Sequence, residues 1–310
     1  MIGRVLAITL NTYRESMRAR ILLGLAGVAF AVAMFSLVVG AFTLNNAARV
    51  ASDLGVASIS IFGIAVAIII GATSLHRELE QKTLFPLLAR PIRRGEYLVG
   101  KYLGTLLTIL VFVMADAGLV LLIGSGLGGR SPALVIGVGA ATALPLGLAM
   151  IRSPRARTFG PIPWSLALLV AGVLLADVAP QERRVVLAGS TLALLEIGIV
   201  AAFATLFSSF STPFLSSVFT LMIFVIGRSA DSLARFPVNY FGQGMHDAAA
   251  ALAKVVPNLY AYTPPRPLLT GEAVGTPLPS YLAMAALASV GWTVGLLAVA
   301  SFIFRKRDFL

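Results

Sequence analysis

The sequence predicts an all-α integral membrane protein, a bundle of six to eight transmembrane helices with eight favoured. Of its 310 residues, 58% are hydrophobic and only 12% are charged, whereas a soluble domain carries roughly 25% charged residues. The mean hydropathy is +0.92. A helix needs about 20 residues to cross a bilayer, and several uninterrupted apolar runs reach this length. Together these observations exclude an ordinary soluble fold.

The first 20 residues predict an amphipathic helix that lies in the cytoplasmic interface of the membrane. One set of residues falls at helical spacing, while arginines and an asparagine occupy the rest of the helical wheel. The spaced set is Ile2, Leu6, Thr9, Leu10, Tyr13 and Met17, and the others are Arg4, Asn11, Arg14 and Arg18. The alternative is a positively charged flank that only orients the first span.

Eight apolar runs are candidates for spans. The strong candidates are residues 21–42, 54–75, 102–123, 186–210 and 281–304, with a shorter run at 212–227. No small-residue cleavage pattern follows the first run, so we expect a span rather than a signal peptide. The runs at 132–151 and 162–179 are rich in Gly and Pro. Residues 124–184 therefore form either an additional transmembrane pair or a re-entrant hairpin, which gives eight or six spans.

The charges sort to one side if there are eight spans and both termini are cytoplasmic. The segments that would then be inside hold 16 of the 24 basic residues and five of the 13 acidic ones, so the whole net charge of +11 lies there. This is the distribution that the positive-inside rule requires. It explains the sequence pI of about 10.7 without nucleic acid as a partner. We expect a multi-pass protein of a bacterial cytoplasmic membrane.

Residues 228–280 form the longest polar stretch and are predicted to be an extracytoplasmic loop with a short helix at 246–256. Asp247 is too close in sequence to His246 to face it on a helix, and no nucleophile has a supporting context. The chain has no cysteine and two histidines, His76 and His246, in separate segments. We therefore expect no catalytic site, no metal site and no bound cofactor in this chain.

Residues 76–100 form a cytoplasmic segment between two spans. Its end, GEYLVGKY, approaches the phosphate-binding pattern G-x-x-x-x-G-K-[ST], but Tyr102 replaces Ser or Thr and no buried strand precedes Gly95. The part HRELEQKTLFPLLA instead predicts a short amphipathic helix with a leucine stripe and charges of both signs. A loop that only fixes topology would need Lys and Arg alone.

This segment resembles the cytoplasmic segment of type 2 ATP-binding-cassette (ABC) transporter permeases, and is most similar to the subgroup named for multi-copper enzyme maturation. The family pattern is roughly R-E-x-E-x-x-T-L-x-x-L-L-x-x-P-(I/V)-x-R, followed by Gly-Lys. Matching residues are Arg77, Glu78, Glu80, Thr83, Leu84, Leu87, Leu88, Pro91, Arg94, Gly100 and Lys101. Lys82 departs from a frequent glycine. Residues 203–227 and the terminal RKRDF are also similar, whereas 124–184 have no counterpart.

The resemblance implies a permease subunit that pairs with a separate nucleotide-binding ATPase subunit and with a second permease copy, identical or different. The amphipathic part of this segment would then be a coupling helix that docks on the ATPase. The coupling residues would be Arg77, Glu78, Glu80, Lys82, Thr83, Leu84, Leu87, Leu88, Pro91 and Arg94. ATP and Mg²⁺ would be bound by that partner. Charges of both signs suit such docking, because complementary charge sets orientation and association rate more than affinity.

Two carboxylates are predicted to lie within the membrane. Asp116 is about 22 Å into the span that begins at Tyr102, and Glu196 is near the middle of its own span. Such residues are costly and usually face the bundle interior or a cavity. They line a translocation path or a subunit interface, or they are satisfied within helix packing. For Asp116 we prefer the packing interpretation, and for Glu196 both stay open.

The favoured function is export or extrusion of a substrate, driven by ATP hydrolysis in the partner. Two alternatives are a stand-alone secondary transporter or channel, and a membrane anchor or assembly scaffold for an ATPase. The sequence does not identify the substrate. The scarcity of Cys, His and patterned Met argues against direct copper handling, whatever the subgroup's name suggests.

Overall fold

The computed structural model describes residues 2–43, 46–80, 94–235, 237, 242–272, 275 and 277–306, and none of these residues forms a β-strand. Its α-helices are α1 (Ile2–Arg18), α2 (Arg20–Ala41), α3 (Ala47–Glu80), α4 (Arg94–Leu127), α5 (Pro132–Arg152), α6 (Pro154–Phe159), α7 (Pro161–Leu175), α8 (Pro180–Ser208), α9 (Pro213–Arg228), α10 (Ala230–Ala234), α11 (Gln243–Val255), α12 (Arg266–Thr270) and α13 (Leu278–Lys306).

Seven of the described helices are long and apolar enough to cross a membrane, namely α2, α3, α4, α5, α7 with the turn that follows it, α8 and α13. The prediction of an all-α membrane bundle is confirmed. The eighth apolar helix, α9, has only 16 residues. At 1.5 Å per residue it is about 24 Å long, which is shorter than the roughly 30 Å hydrocarbon core of a bilayer.

The sequence marks where several of these helices begin. Proline lies in the first turn of α5, α7, α8 and α9. Proline is well tolerated there because the first amide groups of a helix have no intrahelical acceptor in any case. Proline thus marks where these helices begin, although α5 also continues through an internal proline, Pro145.

Helices α3, α4 and α8 form the centre of the bundle. Ile59 of α3, Ile109 of α4, and Leu192 and Ile197 of α8 are all fully buried. The packing of these side chains stabilises the bundle. In lipid, where the exterior is as apolar as the interior, close packing carries more of this stability than water exclusion does.

Residues 124–184 form an extra helical pair, α5 and α7, rather than irregular chain. Helix α7 packs closely on α4 at a point where both backbones carry glycine. A Cβ added at Gly118 would lie 2.7 Å from the carbonyl carbon of Leu168. Helix α5 has no buried residue. Both helices have the length and composition of spans. The choice between a transmembrane pair and a re-entrant hairpin stays a prediction.

The N-terminal helix α1 packs against α4 with a face of small and hydroxyl-bearing residues. A Cβ added at Gly104 would lie 2.7 Å from the carbonyl oxygen of Thr9, so only glycine permits this approach. Thr9, Thr12 and Tyr13 are buried, while Leu6 and Leu10 are exposed. The helix exists as predicted, but its predicted apolar stripe is divided between the bundle and the exterior. Its place at a membrane interface stays a prediction.

The polar stretch after α9 is partly folded into the end of the bundle. A short 3₁₀ turn at Leu259–Tyr262 brings Leu259 against the end of α9, where a Cβ added at Gly227 would lie 2.8 Å from the Leu259 Cγ. The Tyr262 hydroxyl donates a hydrogen bond to the Ala285 carbonyl at 3.1 Å. The predicted helix at 246–256 corresponds to α11. This stretch therefore covers the end of the short α9 and closes one side of a cavity.

Candidate functional site: a cavity lined by ion pairs

A buried ion pair joins α8 to α9. The Arg228 Nε donates to the Glu196 Oε1 at 2.6 Å, and its Nη2 donates to the Glu196 Oε2 at 2.8 Å. This two-point geometry is the strong form of an arginine–carboxylate interaction. Glu196 is 0% exposed, whereas the Arg228 side chain is 29% exposed. The carboxylate therefore lies behind the guanidinium, which is the accessible member of the pair.

The hairpin formed by α8 and α9 brings these two residues together. Glu196 lies 12 residues before the end of α8, and Arg228 lies 15 residues after the start of α9. Because the two helices are joined by only four residues, these positions lie at similar heights. Arg228 is also the last residue of α9, where the helix dipole favours a cation. Its guanidinium lies 5.4 Å from the centre of the Phe224 ring, within cation–π distance.

Helix α3 supplies the third member of the cluster. The Ser60 hydroxyl accepts a hydrogen bond from the Arg228 Nη2 at 2.8 Å and donates one to the Glu196 Oε2 at 3.3 Å. Both Glu196 oxygens and the Ser60 hydroxyl are thus paired within the cluster. A buried charge pair is tolerated only when such additional hydrogen bonds offset its loss of hydration.

A second cluster lies nearer the end of the bundle and ties α12 to α3 and α8. The Arg266 Nη2 contacts both carboxylate oxygens of Glu182, at 2.5 and 2.6 Å, and its Nη1 donates to Asp53. Glu182 also accepts a hydrogen bond from Ser52. Glu182 lies in the first turn of α8, where the helix dipole favours an acidic side chain. Arg266 thus fastens the stretch after α9 onto the bundle.

Both clusters line one cavity of about 420 Å³. Its polar groups are Arg49, Asp53, Ser60, Glu196, Arg228, Thr263 and Arg266, and its apolar residues include Val56, Ile61, Val185, Phe224 and Leu269. A smaller cavity of about 370 Å³ shares Arg49 and Arg266 with it. Tyr262 also lines the larger cavity. Burial, with the nearby Glu196 carboxylate, raises the pKa of Tyr262 to about 12, so the phenol stays neutral.

Asp116, the other predicted intramembrane carboxylate, has different surroundings. It is 0% exposed and accepts one hydrogen bond, from the Ser58 hydroxyl to its Oδ2 at 3.3 Å. Its Oδ1 has no hydrogen-bond partner among the described residues. Asp116 lines neither of the two cavities. The structure therefore brings Glu196, but not Asp116, to the candidate site.

The predicted coupling residues lie away from the cavity or outside the described residues. Helix α3 ends at Glu80, so the backbone of Arg77, Glu78 and Glu80 belongs to its last turns. Lys82, Thr83, Leu84, Leu87, Leu88 and Pro91 lie outside the described residues. Arg94 begins α4, and its Nη1 donates to the carbonyls of Phe304 at 3.1 Å and Arg305 at 2.9 Å. Arg94 thus binds the end of α13.

Lys101 connects three helices close to the predicted coupling segment. Its Nζ donates to the Ser74 carbonyl at 3.3 Å and the Ser74 hydroxyl at 3.1 Å, and lies 3.5 Å from the Glu15 Oε2. The residue is only 4% exposed. Residues 95–102, which approach the phosphate-loop pattern, lie inside the continuous helix α4. A loop that presents its amides to a phosphate cannot form there.

Sequence reasoning missed Arg228 and Arg266. Arg228 was predicted only as the edge of a polar loop, although a carboxylate buried in a membrane needs a cationic partner. Glu196 and Arg228 lie at similar distances in sequence from the turn at residues 209–212, so they lie at similar heights on the two helices. The sequence therefore contained enough information to pair them. Arg266 carries no comparable signal, because its partners Asp53 and Glu182 are distant in sequence and meet only in the folded bundle. Among the described residues, no group of three or more His, Cys, Asp or Glu could hold a metal ion.

Comparison with known proteins agrees with the membrane architecture. A search of curated protein sequences gave no match. A family model described as "ABC-2 family transporter protein" matches residues 6–309. The match includes the central helices, the cavity and the segment that resembles type 2 ABC permeases. Because it covers nearly all of the 310 residues, the chain belongs to the ABC-2 family of transporter proteins and is an ABC transporter permease.

Proposed function

We propose that this permease exports or extrudes a substrate through the cavity at Glu196 and Arg228, driven by ATP hydrolysis in a separate subunit. In this proposal the ATPase docks on residues 76–100 and binds ATP and Mg²⁺ itself. Two permease subunits, identical or different, complete the transporter. The protein lies in a bacterial cytoplasmic membrane with both termini inside, as the charge distribution supports.

One observation carries the proposal: α3 is a single helix that runs from the cavity to the predicted docking segment. Ser60 of α3 lies on the Glu196–Arg228 pair, and the same helix continues to Glu80. Twenty residues separate these positions, which is about 30 Å along a helix. A rigid helix of that length moves as a unit, so a displacement at the ATPase reaches the cavity wall.

Lys101 supports this coupling through α3 at the end of the helix that lies away from the cavity. Its bonds to Ser74 hold the last part of α3 against α4, and its contact with Glu15 adds α1 to the same point. A pull on the segment after Ser74 therefore acts on three helices at once. Coupling of this kind requires an element that has two discrete arrangements.

The test is co-purification of the chain with its ATPase, followed by ATP-dependent transport in vesicles. The double reversal E78K/E80K is expected to abolish both while the purified chain keeps its melting temperature. The matched control, Asp247→Lys, reverses an exposed acid in α11 and is expected to change neither. Retained association in E78K/E80K would show that the docking segment is wrong.

Transport of substrate by the purified chain without ATP would favour a secondary transporter instead. ATP hydrolysis that persists in the complex, with transport unaffected by substitutions of Glu196 and Arg228, would favour an assembly scaffold. Each alternative thus has an outcome of its own.

A further inference from the structure

The two carboxylates that line the cavity already face arginines. Both oxygens of Glu196 accept from Arg228, and those of Asp53 face Arg266 and Arg49. The Ser60 hydroxyl accepts from Arg228 and donates to Glu196. The Thr263 hydroxyl donates to the Tyr260 carbonyl. A cationic ligand would therefore have to compete with an arginine for either carboxylate.

Some hydrogen-bond donors of the arginines that line the cavity, in contrast, are not used. A guanidinium has five N–H groups, and Arg228 uses those of its Nε and Nη2. Its Nη1 has no hydrogen-bond partner among the described residues, although the side chain is 29% exposed and lines the cavity. Arg49 makes only a 3.9 Å contact with Asp53 and is mostly exposed. The hydrogen-bonding groups that these two arginines leave unused are thus cationic donors.

The cavity walls between Arg228 and Arg49 are largely apolar, and they extend to the surface of the single chain. Ile61 follows Ser60 directly, lines the cavity and is 63% exposed. Val56 and Phe224 continue the apolar lining. The volume of about 420 Å³ falls within the roughly 300–1,000 Å³ of small-molecule sites. An apolar chain can lie along this wall and leave past Ile61 while a polar group stays at Arg228.

We propose that the cavity binds an amphiphile with one anionic head group, a phosphate or carboxylate held by Arg228, and an apolar chain lying against Val56, Ile61 and Phe224. Arg49 at the rim attracts the same charge. Arginine suits this head group because its planar donors match phosphate and carboxylate oxygens. The inference deepens the proposed function by naming a substrate class for the same cavity.

The test is binding by the purified chain without any ATPase, in nanodiscs of phosphatidylcholine, with empty nanodiscs subtracted. Three ligands share one chain and differ in head group: dodecyl phosphate, dodecyltrimethylammonium and dodecyl maltoside. Dodecyl phosphate is expected to bind saturably and at least about tenfold more tightly than the other two, since one charge-assisted contact supports such a ratio. Equal or tighter binding of the cation would overturn the proposal.

Two variants give opposite expected shifts. In Glu196→Gln the guanidinium loses its competing carboxylate, so dodecyl phosphate should bind several-fold more tightly. In the double variant E196Q/R228Q it should bind about tenfold more weakly than in the wild type. The double variant avoids the unpaired buried Glu196 that Arg228→Gln alone would leave. Weaker binding in Glu196→Gln, or unchanged binding in the double variant, would contradict the proposal.

A matched control removes an arginine from another ion pair. Arg130 contacts Asp177 at 2.6 Å and lines neither cavity, so Arg130→Gln should leave dodecyl phosphate binding unchanged. Adding phosphatidylglycerol to the nanodiscs separates two sources of the ligand. Competition with dodecyl phosphate indicates an anionic membrane lipid, and its absence indicates a free amphiphile. Because no ATPase is present, the result is independent of whether docking at residues 76–100 is correct.

Discussion

Glu196 and Asp116 are both fully buried carboxylates that face the same helix, but they are held in different ways. Each accepts a hydrogen bond at 3.3 Å from a serine of α3, Ser60 for Glu196 and Ser58 for Asp116. Only Glu196 also has an arginine partner and a cavity beside it. From the sequence, the two carboxylates differed mainly in their depth within a span.

The difference teaches that burial of a carboxylate is a weak indicator of function. Asp116 lies on α4 beside Ser58 of α3 and two residues before Gly118, where α7 packs closely. It lines neither of the two cavities. Glu196 lies where the short helix α9 ends and a folded loop segment completes the wall of the cavity. A site forms at Glu196 because regular helix packing stops there, while an arginine remains close enough to offset the charge.

The largest expected effect comes from removing one member of the ion pair. Arg228→Met leaves the fully buried Glu196 without its counterion, and breaking a buried pair in this way costs about 3–5 kcal/mol. We expect a corresponding fall in the free energy of unfolding of the purified chain, measured by chemical denaturation in detergent. The double variant E196L/R228M, which removes both charges, should lose far less.

That double variant is also the control for the comparison. If Arg228→Met and E196L/R228M were equally destabilised, the loss would come from packing rather than from an uncompensated charge. The coupling energy from the double-mutant cycle separates the two explanations.

Lys101 gives an intermediate case, a buried charge with several partners but no place in the lining of either cavity. Lys101→Met removes charge-assisted hydrogen bonds to Ser74, so we expect a loss of about 2 kcal/mol in the free energy of unfolding. Binding of dodecyl phosphate to the cavity should not change. Altered binding in a variant that stays folded would mean that the cavity responds directly to the end of α3.

Much of the fold follows from the sequence because span length and apolarity are local properties. Each predicted apolar run coincides with a helix, and α9 is short in the structure as it is in the sequence. The close approach of α1 to Gly104, and of α7 to Gly118, was not predicted. Glycine in a membrane helix is compatible with many packing partners, and only the folded bundle selects one.

The candidate site was predicted only in part for a related reason. Glu196 is conspicuous because a carboxylate in an apolar run is rare, whereas Arg228 at a span end looks like an ordinary flanking charge. The place of Arg266 depends on how residues 259–272 pack on the bundle, which no local pattern encodes. Most of the coupling residues lie outside the described residues, so their role stays a prediction from resemblance.

The smallest expected effect is that of Asp116→Asn. Asparagine has the same shape, can still accept the hydrogen bond from Ser58, and carries no charge to bury. Because one carboxylate oxygen has no partner among the described residues, losing the charge offsets any loss of hydrogen bonding. We expect a change of less than about 1 kcal/mol in the free energy of unfolding. Dodecyl phosphate binding and ATP-dependent transport should match the wild type. A loss of transport in a stable Asp116→Asn variant would show that Asp116 acts in the transport cycle, and that a lined cavity is not what separates the two carboxylates.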